Sequence, residues 1–224
     1  MSNNNQLLFN FKFNKNYLEQ DFYVSLSNHE AFKTIDSWPK WIKRTVNIYG
    51  PSGSGKSHLS SIFAKKTTSL KVKYSEFSEK TFENFKAKEV LIIEDFINDG
   101  KKEELLYSLH DNVDRFNKYL LFTSTAPMNS IKFKLPDLKS RISSCNIIEI
   151  KLPDDNLVEA ILSKRLSDKQ IIIDKRYMKY AIKRIERSYE NLSKFIHMLD
   201  KLSLKSGKSI NFKVIREVLK KYKS

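Results

Sequence analysis

The sequence predicts an α/β domain followed by a small all-helical one, and three observations carry that prediction. Short apolar strands alternate with helical segments from Val46 to Ile150. A complete glycine-rich phosphate loop, Gly50–Ser57, separates the first of these strands from the helix after it. Beyond Pro153 the strand signals stop and only helical periodicity continues. Strands alternating with helices argue for a parallel sheet covered on both faces.

The elements follow in order. Residues 1–5 are polar and read as disordered, with a hydrophobic burst, Gln6–Phe11, directly behind them. Asn28 to Asp36 predicts a short helix with Ala31, Phe32 and Ile35 apolar. Val46–Tyr49 is a strand, and Lys56–Lys66 a helix with Leu59, Ile62 and Phe63 on one side. Lys71–Tyr74 alternates as a strand does, and Glu79–Phe85 suits a short helix. Val90–Ile93 is a buried strand bounded by charge. Lys101–Phe116 places Leu105, Leu109, Val113 and Phe116 at helical spacing. Tyr119–Thr123 and Ile147–Ile150 complete the strands. Asp154 can cap a helix containing Leu157, Val158, Ile161 and Leu162. Further helices are predicted at 175–187, 190–204 and 211–222, the last with Phe212, Ile215, Leu219 and Tyr222 on one stripe.

The chain has 224 residues, 40% of them hydrophobic, enough for a substantial core. Its 41 basic and 26 acidic residues leave a net charge of +15. Residues 154–224 hold 18 basic and 9 acidic residues, a net of +9. Such an excess favours nucleic-acid or acidic-protein partners. The abundance of Asn, Lys and Ile along the whole chain offers a second reading, a proteome of biased composition. A single cysteine, Cys145, excludes an internal disulfide framework and fits a reducing compartment. No apolar run is long enough to span a bilayer, and the N-terminus lacks a signal-peptide pattern, so cytoplasm is expected.

Gly50-Pro51-Ser52-Gly53-Ser54-Gly55-Lys56-Ser57 has the strand before it and the helix after it that a P-loop requires. Glycines let the backbone turn tightly and aim its N–H groups at phosphate oxygens. The helix N-terminus adds a favourable dipole. Lys56 is expected at the terminal phosphates and Ser57 on Mg²⁺. The strand Val90–Ile93 runs into Glu94-Asp95. A carboxylate there orders Mg²⁺ or its water, and a second orients the attacking water, the role expected of Asp95.

Asn28-His29-Glu30-Ala31, Trp38-Pro39-Lys40-Trp41, the P-loop continuing as Ser57-His58-Leu59, and Glu94-Asp95 together resemble the AAA+ domain of the replication initiator DnaA. The resemblance is closer still to DnaA's shortened relative Hda (HdaA), the regulatory inactivator of DnaA, and covers essentially the whole chain. It implies an AAA+ P-loop NTPase with a five-stranded parallel sheet and a helical lid. The implied boundaries are a flexible N-terminal peptide at 1–12, an AAA+ base at 13–153 and a lid at 154–224.

Further roles come from that resemblance. Ser124, with Thr123, ends the fourth strand where the family places its first sensor. Pro136-Asp137-Leu138-Lys139-Ser140-Arg141 matches the segment bearing the arginine finger, and Arg141 is the implied finger, acting in a neighbour's site. The alternative is an ordinary surface arginine that caps or salt-bridges. Two positions depart from the pattern. Glu94 stands in place of the Mg²⁺-associated aspartate, one methylene longer, so its coordination is expected to be indirect. Glu190 stands where an initiator has a nucleotide-contacting arginine, and its carboxylate would repel phosphates. Arg187, one turn earlier, is the compensating candidate. Weak or absent intrinsic ATPase activity and a bound ADP (or ATP) with Mg²⁺ are therefore expected.

Gln6-Leu7-Leu8-Phe9-Asn10-Phe11 resembles the peptide that bacterial partners insert into the DNA polymerase β sliding clamp. Gln6 offers an amide, and Leu7, Phe9 and Phe11 offer apolar anchors. As an extra strand or helix it would instead pack on its own domain. The chain is expected to end with the lid, without the helix-turn-helix domain of the full initiator, leaving DNA contact indirect or non-specific. The implied function is a clamp-bound regulator that promotes hydrolysis of DnaA-bound ATP in trans. A homodimer that captures the peptide is a further possibility. Two other readings stay open: an adaptor or helicase loader that stimulates no hydrolysis, and an autonomous DNA-stimulated ATPase.

Overall fold

The computed structural model describes residues 19–206 and 210–221. Residues Gln6, Leu7, Phe9 and Phe11, and Tyr222 of the C-terminal stripe, lie outside the described residues.

Five strands build one sheet: β1 (Thr45–Tyr49), β2 (Ser69–Lys73), β3 (Val90–Phe96), β4 (Tyr119–Ser124) and β5 (Asn146–Glu149). Their spatial order is β2-β3-β4-β1-β5 and every pairing is parallel. α1 (His29–Asp36) precedes β1, and the helices between the strands are α2 (Lys56–Lys66), α3 (Glu79–Phe85), α4 (Glu103–Arg115) and α5 (Pro136–Ser143). Buried parallel strands are apolar on both faces, and Val90, Leu91, Ile92 and Ile93 are all fully buried. Val90 and Ile92 join Val46, Ile48 and Leu121 against α1 and α2. Leu91 and Ile93 join Leu120 and Phe122 against α3, α4 and α5. Each fully buried side chain of this size contributes about 1.5–3 kcal/mol before entropy is counted.

Two boundaries differ from the sequence expectation for visible reasons. Tyr74 leaves β2 and begins a 3-10 turn, Tyr74–Glu76, because its ring packs edge-on against Phe96 and its hydroxyl donates to Asp99 at 3.1 Å. β3 continues through Glu94 and Asp95 to Phe96, whose ring is buried against Phe122.

The C-terminal helices are α6 (Asp155–Asp168), α7 (Lys175–Ile182), α8 (Tyr189–Ser206) and α9 (Phe212–Lys221). Asp154 caps α6 as expected, its carboxylate accepting from the Leu157 N–H at 2.8 Å. The predicted helix over 175–187 ends earlier, at Ile182, where Ile185 turns into the core and Ser188 begins the next helix cap. Val158, Leu162, Met178, Phe195, Leu199, Ile215 and Val218 make one apolar cluster from all these helices. No described helix is long and apolar enough to cross a membrane.

Candidate nucleotide site

The phosphate loop leaves β1 at the C-terminal edge of the sheet, and backbone crowding decides its first residue. A Cβ on Gly50 would stand 2.6 Å from the Ile150 carbonyl oxygen, so no larger residue fits without displacing β5's continuation. Gly53 and Gly55 take φ of 79° and 96°, a region L side chains rarely adopt. Gly55 is also the N-cap of α2, with no side chain capping that end and no acid in the first turn. The loop therefore offers backbone N–H groups and the positive end of a helix dipole to an anion.

Lys56 folds back over this cradle. Its Nζ donates to the carbonyls of Gly50 at 2.7 Å and Pro51 at 2.8 Å, with Ser54 Oγ at 3.5 Å. Burial lowers its pKa from the ordinary lysine value, and the negative charge of Asp95 partly opposes that shift. Lys56 and Asp95 are thus within electrostatic reach although they come from different elements. Ser57 stands in the first turn of α2, half-buried.

The acidic pair divides its work. Glu94 is buried, with Oε1 accepting from Ser60 Oγ at 2.6 Å and Oε2 paired with Lys71 Nζ at 3.0 Å. Lys71 also donates to the hydroxyls of Ser60 and Ser61 at 3.1 and 2.9 Å. Asp95 is exposed and sits at φ 53°, where the β3–β4 register shifts between Ile93 and Phe96. A non-glycine residue there carries backbone strain of order 1 kcal/mol. Its N–H donates to Thr123 Oγ1 at 3.3 Å, tying the shift to β4. The bulge turns the Asp95 side chain out of the sheet while Glu94 stays inside.

Ser124 ends β4 beside Tyr49 of β1. It is buried, and its hydroxyl donates to the Ala126 carbonyl at 2.6 Å and accepts from Asn47 Nδ2 at 2.9 Å. Asn47 Oδ1 in turn accepts the Met128 N–H at 3.1 Å. These contacts lock the end of β4 to β1 next to the loop.

Two aromatic residues flank the loop, and sequence reasoning assigned neither. A Cβ on Gly55 would meet the Phe22 ring at 3.2 Å, and one on Gly53 would meet Tyr189 at the same distance. Phe22 also packs edge-on against His58 of α2. Tyr189 donates to the Lys151 carbonyl at 3.1 Å, and burial pushes its pKa up to about 12. The segment before α1 and the start of α8 thus close on the loop from two sides. Lys164 of α6 also pairs with Asp21 of the segment before α1, at 2.6 Å. A concavity of about 300 Å³ is lined by Tyr23, Val24, Ser25, Leu26 and His29, on the segment that follows Phe22, and by Asn156 of α6. The single usable signal was the aromatic nature of Phe22 and Tyr189, which does not distinguish a site from a core.

Arg187 lies in the bend before α8 and pairs with Asp155 at 2.9 Å on the surface. Glu190 is exposed and pairs with Lys194 at 2.8 Å. From this segment it is Tyr189 that touches the loop.

Arg141 stands apart from the phosphate loop, on α5 facing α4. Its guanidinium reaches Asp114 at 3.0 Å and Asp111 at 3.4 Å and lies over the Tyr107 ring at 5.0 Å. Glu103 positions α5 by accepting the N–H groups of Lys134 and Leu135 at 2.9 and 2.8 Å. Burial alone would raise the Glu103 pKa, but the donors Asn98, Leu135 and Lys134 prevail and hold it below the usual range.

A parallel 2-3-4-1-5 sheet, a phosphate loop after β1 and an acidic pair on β3 define the P-loop nucleotide-binding architecture. A family model described as RNA helicase matches residues 46–136, the stretch that carries these features. The DnaA initiator of Buchnera aphidicola is 24% identical over 98% of this chain and 56% of its own length. The chain spans about half the length of the curated relatives it matches. Domain III of Thermotoga maritima DnaA superposes with a TM-score of 0.75 at 17% identity, covering 93% of this chain and 98% of that one. AMPPCP-bound DnaA from Aquifex aeolicus superposes at 0.71 with 15% identity over 95% and 71%. The chain has a DnaA-like AAA+ fold: a five-stranded parallel base with a C-terminal helical part.

Proposed function

We propose that this chain is a nucleotide-holding regulator of chromosomal replication initiation that acts on a DnaA-type initiator. The observation that carries the reading is the phosphate loop itself, a built anion cradle within a DnaA-like fold spanning almost the whole chain. The loop N–H groups of Gly53, Gly55, Lys56 and Ser57, with the Lys56 ammonium, suit the phosphates of ADP or ATP. Phe22 and Tyr189, which close on the loop at Gly55 and Gly53, offer apolar surface suited to the base. Similar DnaA chains are described as bound to AMPPCP, which supports the same chemistry.

Ser57 suits Mg²⁺, which neutralises phosphate charge when bound. Both Glu94 oxygens already have protein partners, which favours an indirect part for this residue. With Glu94 so engaged and Glu190 in the lid segment, the site is better suited to holding a nucleotide than to turning it over. Asp95 is the exposed carboxylate of the pair, the one suited to orienting water.

Arg141 is the proposed finger for a neighbour's site. Its partners Asp111 and Asp114 are surface carboxylates, and such ion pairs hold a side chain with only about 0–1 kcal/mol each. The guanidinium can therefore be redirected at low cost. Gln6–Phe11 is the proposed clamp peptide, tethering the chain near initiator molecules and raising its local concentration. The adaptor reading remains the second one, favoured by the same observation turned round: Arg141 already has partners within its own chain.

The test is a reconstituted ATPase assay with an active initiator, DNA-loaded clamp and this protein with ADP. Accelerated hydrolysis is expected, reduced at least tenfold by Arg141→Ala and by the Gln6→Ala, Leu7→Ala double variant. No acceleration by the unmodified chain would favour the adaptor. Acceleration that survives Arg141→Ala would move the finger elsewhere.

A further inference from the structure

The ion pair between Lys71 and Glu94 joins a strand outside the phosphate loop to the carboxylate expected to serve Mg²⁺. Lys71 stands on β2 beside Ile92 of β3 and reaches along the sheet to Glu94. An ammonium has three N–H donors. Each finds an acceptor here: Glu94 Oε2 at 3.0 Å, Ser61 Oγ at 2.9 Å and Ser60 Oγ at 3.1 Å. The other Glu94 oxygen accepts from Ser60 at 2.6 Å. Ser61 Oγ passes the network on by donating to the Ser57 carbonyl at 2.7 Å. Lys71 and Glu94 are thus fixed to the turns of α2 that begin at the loop, and both side chains are largely shielded from solvent.

Mg²⁺ is commonly held by one or two protein carboxylates together with the phosphates of its nucleotide. At this site each carboxylate is already matched by a lysine. Glu94 is in contact with Lys71, and the charge of Asp95 falls on Lys56. A divalent ion drawn to Glu94 would meet an ammonium 3.0 Å from the same carboxylate, and like-charge repulsion would offset the attraction. Metal-free ADP carries more negative charge than its Mg²⁺ complex. The loop N–H groups, the positive end of α2 and two ammoniums are suited to receive that charge.

We propose that Lys71 is a positioning residue that makes nucleotide binding at this loop nearly independent of Mg²⁺, by holding the Glu94 carboxylate neutralised. This role rests on the reading of Gly50–Ser57 as a nucleotide site, and not on the finger or the clamp peptide.

Equilibrium binding of a fluorescent ADP analogue to the full chain tests it, in excess Mg²⁺ and in EDTA at matched ionic strength. For the unmodified chain the two affinities should agree within about threefold. Lys71→Met frees the carboxylate: affinity in EDTA should fall and Mg²⁺ should restore it, raising the ratio to about tenfold or more. Lys71→Gln keeps a donor for Glu94 without the charge. It should shift the ratio the same way, and it carries the test if the methionine variant melts early. Adding Glu94→Gln to Lys71→Met should return the ratio to that of the unmodified chain. Lys80→Met, a surface charge lost from α3, should leave the ratio unchanged. A ratio of about tenfold in the unmodified chain overturns the role of Lys71 while the nucleotide site stands. So does an unmoved ratio in both Lys71 variants, the result of a pair that is only structural, or an equal shift in Lys80→Met. A raised ratio that persists after Glu94→Gln overturns it as well. Absence of ADP binding by the unmodified chain in both buffers removes the nucleotide site, and the role of Lys71 with it.

Discussion

The base and the lid bury different chemistry. In the base, Asn47, Ser60, Glu94, His110, Thr123 and Ser124 are buried polar residues, most of them gathered where β1, β3 and β4 end. In the described part of the lid the buried residues are apolar or Tyr189, and the charged residues are exposed or half-buried. A buried polar group costs free energy unless every partner is supplied. In the base Asn47, Ser60, Glu94 and Ser124 have such partners and fix the strand ends beside the loop, whereas His110 Nε2 has none. The lid, free of that requirement, can carry a high density of cations outside an ordinary hydrophobic core.

The largest expected effect tests the lid side of this contrast. Leu162→Ala opens a cavity in the lid cluster and should destabilise by about 2–5 kcal/mol, read by chemical denaturation. Nucleotide affinity at 25 °C should stay within twofold as long as the chain is folded. A simultaneous loss of affinity would show that the lid core and the cradle are one cooperative unit.

The base side is sharpened by pH. His110 is buried against Phe122, its Nε2 has no hydrogen-bond partner, and burial, with a smaller push from Arg141, lowers its pKa to about 4. The unfolded chain takes up this proton near pH 6.5 and the folded chain does not. Stability from this group is therefore complete above about pH 6.5 and falls as pH drops toward 4, by roughly 3 kcal/mol in all. His110→Phe should remove that slope from denaturation midpoints measured between pH 4 and 7. An unchanged slope would place the titration elsewhere.

A smaller effect concerns Glu94. Lys71→Met leaves a buried carboxylate with Ser60 alone and should cost about 1–3 kcal/mol. Glu94→Gln added to it should restore part of that loss, because the uncompensated charge is gone; calorimetric melting of the three variants measures the coupling. Smallest is the lid cap: Asp154→Ala should cost about 1 kcal/mol, a shift of a few degrees in Tm, with nucleotide binding unaffected.

Much of this molecule was legible in its sequence. Four apolar residues before Glu94 predict a strand buried on both faces, because only a covered parallel sheet hides such a run. Gly50–Ser57 predicts its own shape, since the positive φ values at Gly53 and Gly55 suit glycine and little else. Asp154 declared the start of α6 through a contact three residues away. These are local signals, and local physics suffices for them. What the tertiary structure alone decided is which side chains share a site. Lys71 reaches Glu94 across two strands, Asn47 reaches Ser124 across another pair, and Phe22 and Tyr189 approach the loop from opposite ends of the chain. Nothing in the spacing of those residues specifies the meeting, because it depends on sheet order and on where the lid packs. The fate of Arg141 was settled the same way: the sequence marks a conspicuous arginine on a short helix, while the packing of α5 on α4 is what brings it between Asp111 and Asp114.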